Sequence, residues 1–125
     1  MRTRLAALAV LMSACVGAAA TTGPPRVELS EFSIVATGAF EPGRNDLVVL
    51  NRGGFAHTLV IADPTGHVVA ASDVIPAGEQ LDFPVELDPG DYQLSCRIVV
   101  ETGEGDLVDH YAEGMLTDIA VAPGG

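Results

Sequence analysis

The chain has 125 residues, with 6 Arg and no Lys against 17 Asp plus Glu, a formal net charge of −11. A surface this negative argues against nucleic acid or anionic lipid as a partner and suits either a protein partner with a basic docking surface or plain solubility. About 105 residues remain once an N-terminal leader is set aside, enough for one domain with a single modest core.

The leader is expected over residues 1–20. Arg2 and Arg4 give it a positive start, residues 5–12 an apolar run too short to span a bilayer, and small residues follow. Two cleavage sites compete. "MSAC", ending at Cys15, resembles a bacterial lipobox, which would leave a lipid on that cysteine; "AAA" at 18–20 fits ordinary signal peptidase and a soluble product. Either way the protein is expected to be exported, periplasmic or otherwise extracytoplasmic, and to meet a membrane only through a lipid anchor at Cys15. Cys96 is then the one thiol of the folded domain. An unpaired cysteine in an oxidising compartment is explained either by a bound metal or by burial as an inert apolar side chain.

Residues 21–26, "TTGPPR", have linker composition, a single domain is expected over 27–122, and 123–125 form a tail. Within the domain, segments rich in Val, Ile, Leu and Thr are broken by Pro, Gly, Asn and Asp, the pattern of an all-β sandwich. Eight strands are expected, at 27–35, 46–51, 57–62, 68–72, 80–87, 91–101, 106–110 and 116–122. "EPG" at 41–43, "NRGG" at 51–54, "DPTG" at 63–66, "PAG" at 76–78 and "DPG" at 88–90 supply the turns. Outside the leader no window of helical length repeats its apolar residues every 3.6 positions.

Alternation assigns faces. Leu81, Phe83, Val85 and Leu87 point one way, and Gln80, Asp82 and Glu86 the other. Tyr92, Leu94 and Cys96 share a face, so the cysteine points toward the core.

The histidines number three. His67 sits in the "DPTGH" turn, where a solvated side chain is the default. His57 follows the loop "NRGGFA", and His110 follows Cys96 after 13 intervening residues. With Met115 they make two imidazoles, a thiol and a thioether, the donor set of copper centres that pass single electrons. The type of ligand matters: Cu(I) favours soft sulfur and imidazole, and a trigonal His2Cys plane with a weak axial Met suits Cu(II) as well. Taken one at a time, each of these residues is more simply a buried thiol, a strand-end polar residue or a core filler.

Four stretches together carry a family resemblance: "NRGGFAH" at 51–57, "PAGE" at 76–79, "DPGDYQLSC" at 88–96 and "HYAEGM" at 110–115. In this order they resemble the cupredoxins, relatives of plastocyanin and azurin, over roughly residues 27–122. The resemblance implies a Greek-key β-sandwich of about seven to eight strands with one type 1 copper at one end, cycling between Cu(I) and Cu(II). It implies His57, Cys96, His110 and Met115 as ligands. Asn51 and Thr58 would lie just behind them, and Gly53, Gly54, Phe55, Ala56 and Gly114 would form an apolar rim where a redox partner docks. The protein would then be a monomeric electron carrier and not an enzyme. The rival function is copper storage or delivery, or a cupredoxin-like module that binds a partner without redox chemistry.

Two features depart from the family's pattern. Thr58 stands where an Asn often follows the first histidine. The second is the 13-residue interval between Cys96 and His110, where plastocyanin has a few. That interval folds on paper as a hairpin about "GEG" at 103–105, which places Cys96 opposite a residue between 110 and 112. Cross-strand Cβ atoms lie roughly 5 Å apart, a separation that suits two ligands of one metal. The hairpin would add an acidic arm, Glu101, Glu104, Asp106 and Asp109, near the site.

Other chemistries fit less well. Calcium lacks its acidic loop, and a structural zinc usually takes a fourth His or Cys in place of Met. A Cys-His nucleophile has no use for a second His and a Met.

Overall fold

The computed structural model describes residues 23–124. The expected leader, with Cys15 and both cleavage sites, lies outside the described residues. Ten strands run in chain order: β1 (Arg26–Ser30), β2 (Ser33–Thr37), β3 (Gly43–Asn51), β4 (Val60–Ala62), β5 (Val68–Ala71), β6 (Gln80–Leu87), β7 (Gly90–Ser95), β8 (Val99–Glu101), β9 (Leu107–Asp109) and β10 (Leu116–Val121). Among the described residues there is no helix.

One four-stranded sheet has the order β2-β1-β3-β6 and the other β10-β7-β4-β5, with β8 and β9 pairing as a separate hairpin. β1 runs parallel to β3, and the other pairs are antiparallel. Leu29, Leu47, Val49, Val85 and Leu87 from the first sheet meet Ile61, Tyr92, Leu94 and Val121 from the second, with Leu59 just before β4, in one apolar core. The alternation read from the sequence over 80–87 holds, since Val85 and Leu87 are buried while Gln80, Asp82 and Glu86 are exposed.

Two expected strands each divide in two, which raises the count from eight to ten. Residues 27–35 break at a two-residue turn, Glu31 and Phe32, between the paired Ser30 and Ser33. Phe32 has φ 56°, a left-handed conformation rare for a bulky side chain. Residues 91–101 break after Ser95, where the chain leaves the sheet and carries Cys96 to the sandwich end before β8 begins. The expected strand 57–62 shortens to β4, and His57 keeps only a bridge to Ile75.

Asn residues near either end of β3 face inward and tie down loops. Asn45 accepts from the Glu41 N–H (2.9 Å) and donates to the Glu41 and Gly43 carbonyls (2.8 and 3.2 Å). Asn51 does the same at the opposite end, beside His57. The Tyr92 hydroxyl donates to the Asp88 carbonyl at 2.8 Å, fixing the "DPG" turn below β7.

Candidate metal centre

His57 is positioned from two sides. Its backbone exchanges hydrogen bonds with Ile75 (3.1 and 2.8 Å). The loop before it is held by Asn51, which donates to the Phe55 and Ile75 carbonyls (2.8 and 2.9 Å) and accepts from the Gly53 N–H (2.9 Å). Gly53 is required by space: a Cβ there would lie 2.7 Å from Glu31 Oε1 and 2.9 Å from His57 Nε2.

Cys96 extends from β7 and donates its N–H to the Met115 carbonyl at 3.1 Å. His110 follows β9, donating its N–H to the Ile98 carbonyl and accepting from the Met115 N–H, both at 3.0 Å. Between them, Asp109 Oδ1 accepts from the Tyr111 and Ala112 N–H groups (2.9 and 3.3 Å), closing a tight turn that returns the chain to Met115. Arg97 stacks on the Tyr111 ring, 3.7 Å from its centroid, and secures that turn against the end of β7.

Val99 pairs with Asp109 and Glu101 with Leu107, so the hairpin centres on Glu104, as the "GEG" reading expects. Ordered pairing ends at Ile98 and His110, and Cys96 reaches His110 by side chain and not by direct cross-strand pairing. The expected arm is apolar as well as acidic. Asp109 is consumed in the turn, while Val99, Val100 and Leu107 are exposed beside Glu101, Glu104 and Asp106.

His57, Cys96 and His110 come together with all three buried. His57 Nδ1 and His110 Nδ1 are 3.2 Å apart, Cys96 Sγ is 3.6 Å from His110 Nδ1, and Sγ is 3.8 Å from His57 Nδ1. The centre of a triangle with these sides is about 2.1 Å from each corner, close to metal–nitrogen bonds of about 2.0–2.1 Å and somewhat short of metal–sulfur bonds of about 2.3 Å. Two lone pairs facing at 3.2 Å repel unless a proton or a cation lies between them. The donor set therefore fits a small cation, and thiolate with imidazole suits copper. Met115 is fully buried and bonded through its backbone to both Cys96 and His110.

Burial chiefly, and the neighbouring His110 next, push the His57 imidazole below the usual histidine range. Neutral imidazole is the form that offers a lone pair to a metal. Thr58 lies behind the sulfur: its N–H donates to Sγ at 3.4 Å, and its hydroxyl lies 3.7 Å from Sγ. That hydroxyl accepts from the Arg97 N–H at 3.4 Å, which leaves its own hydrogen free to point at the sulfur. Of the expected rim, Phe55 is 62% exposed, Gly54 and Gly114 are exposed, and Gly53 is buried. His67 is exposed in its turn, where Asp63 Oδ1 accepts its N–H.

The sequence reading missed the Glu31–Phe32 turn, which touches both histidines' surroundings. The Gly54 N–H donates to Glu31 Oε1, and the Phe32 ring meets His110 edge-on with centroids 5.4 Å apart.

No family model and no curated protein matches the chain. Among solved structures eight chains match. One is dithionite-reduced auracyanin from the photosynthetic bacterium Roseiflexus castenholzii, 17% identical, spanning 85% of this chain and all of its own, with a TM-score of 0.59. The protein has a cupredoxin fold. At that identity the likeness speaks for the fold alone, and the chemistry of this cupredoxin-like chain rests on its own buried His57, Cys96 and His110.

Proposed function

We propose that the protein is a blue copper electron carrier, with one type 1 copper held by His57, Cys96 and His110 and, more weakly, by Met115. The observation that supports this most is the buried triangle of two imidazole nitrogens and one sulfur. Copper held there would supply a one-electron couple. The chain's own contribution is a fixed cradle: paired backbone at His57, the Asp109 turn, and the Asn51 bonds hold the donors in one arrangement for either charge state. Because His57, Cys96 and Met115 are fully buried and His110 is 3% exposed, a substrate has no path to a metal there, whereas an electron needs none.

The N-terminal pattern favours an exported, extracytoplasmic protein, free or anchored through Cys15. We place the partner's docking at the sandwich end, where Phe55 in the loop before His57 and Phe32 against His110 are exposed, and take the protein to act as a monomer.

Adding Cu(II) to the purified protein tests the reading. An intense visible thiolate-to-copper band with narrow hyperfine splitting in paramagnetic resonance supports it, and a colourless tetragonal copper spectrum overturns it. Reversible one-electron voltammetry then separates a carrier from a copper store.

The hairpin supports a second, separable role in choosing the partner. Replacing residues 100–108 by a two-residue turn joins Val99 to Asp109, which already pair, and spares the Asp109 turn. The blue band should survive, and electron transfer with a basic redox partner should slow by about tenfold at low salt, as a lost steering charge does. Unchanged transfer rates would remove the hairpin from docking.

A further inference from the structure

An imidazole that offers Nδ1 to a metal carries its proton on Nε2, and that N–H needs an acceptor. His57 Nε2 is buried and has no hydrogen-bond partner among the described residues. Two oxygens lie close by. Asn51 Oδ1 already accepts from Gly53, and the other is Glu31 Oε1, which sits across Gly53 from the ring. Glu31 Oε1 and His57 Nε2 are both within 2.9 Å of the single point where a Gly53 side chain would begin.

The carboxylate is held there by its surroundings. Ser30 and Ser33 pair across the turn, Phe32 takes its left-handed conformation, and the Gly54 N–H donates to Oε1. The same Gly54 hydrogen bond, first among the causes, keeps the Glu31 carboxyl below the usual carboxylate range, so it is anionic at neutral pH. An anion fixed beside a ligand imidazole favours the more positively charged state of whatever that ligand holds, and it orients the ring through its N–H.

We propose that Glu31 is a positioning residue for the metal centre, its carboxylate serving as the anionic counterpart of the His57 Nε2–H and favouring oxidised over reduced copper. This rests on the copper reading above and names a residue outside the expected ligand set and its expected neighbours. Glu31 stands at an exposed turn, so its influence falls as salt rises.

The test compares copper-loaded native protein with Glu31→Gln and Glu31→Asp. Glutamine keeps an oxygen for the Gly54 N–H and loses only the charge. At a fixed solution potential, the Cu(I) to Cu(II) ratio of Glu31→Gln should rise about three- to tenfold at low salt, as expected for one unit charge roughly 6–8 Å away at an effective dielectric constant of about 40 to 60, between a protein surface and bulk water. The change should shrink at high salt and largely revert in Glu31→Asp, with the blue band and the melting temperature as in the native protein. In the diamagnetic Cu(I) form, the His57 Nε2–H resonance should also shift and exchange faster in Glu31→Gln. A blue Glu31→Gln protein whose ratio and N–H resonance match the native ones overturns this proposal and leaves the copper reading standing. A native protein that forms no blue site overturns both.

Discussion

Cys96→Ser should leave a folded, colourless protein. Cys96 is fully buried, and a serine hydroxyl is smaller and can take the Thr58 N–H that now points at the sulfur, so the fold should lose no more than about 1–2 kcal/mol. The metal chemistry should change far more. Sulfur is the one soft anionic donor in the triangle, and the visible band of a blue site belongs to the thiolate. Losing an outer hydrogen-bond partner already costs a metal site about 10–100-fold in affinity, so losing a donor atom should exceed that. Visible absorption and competition with a Cu(I) chelator measure both quantities. A blue Cys96→Ser protein would remove the sulfur from the site.

Asn51→Ala should be the most damaging single change to the fold near the site. Its side chain makes three hydrogen bonds, to Phe55, Ile75 and Gly53, and it is fully buried. Truncation strands the Phe55 carbonyl and the Gly53 N–H, and leaves the Ile75 carbonyl with the His57 N–H alone. At about 1–3 kcal/mol for each unsatisfied buried group, with partial rescue by water, the loss should be about 2–4 kcal/mol. For a domain of this size that lowers the melting temperature by roughly 10 °C or more. Asn45→Ala makes a matched control. It too removes three side-chain hydrogen bonds, but beside the Glu41 loop at the other end of β3, so it should cost similar stability while copper affinity stays unchanged. Only Asn51→Ala should loosen the His57 loop and weaken copper binding, read by denaturant melts alongside metal titration. Equal copper affinities in the two variants would show that Asn51 supports the sandwich and not the site.

Much of the architecture was legible because its punctuation is chemical. "DPTG", "PAG" and "DPG" fall between strands, where proline's fixed φ and glycine's freedom favour turning, and β6 begins and ends where its alternation does. The folding of 96–110 about "GEG" was legible for the same reason: glycine at Gly105 takes φ 85°, and the register follows by counting. The Glu31–Phe32 turn was hidden because "SEFS" holds no Gly, Pro or Asn. One trace was present. Inward residues fall on odd positions at Val27 and Leu29 and on an even position at Ile34, and such a change of phase requires the chain to turn or bulge between them. The break after Ser95 left no such trace: Cys96 still bonds across to Met115, and no Gly, Pro or Asn in "SCRIVV" marks where the sheet ends. What a count of acidic residues did not reveal in the β8–β9 hairpin is its apolar part: Val99, Val100 and Leu107 face outward, while Asp109 is tied into a local turn.

Phe32 sets local folding preference against the needs of the site. A left-handed backbone at φ 56° suits glycine or asparagine and costs a bulky residue of order 1 kcal/mol or more, and its ring is still 39% exposed. What the ring gains in return is its edge-on seat against His110. A redesign of this chain for thermal resistance alone would therefore discard Phe32 early, and would strip the cover from His110, the less deeply buried of the two site histidines, in doing so.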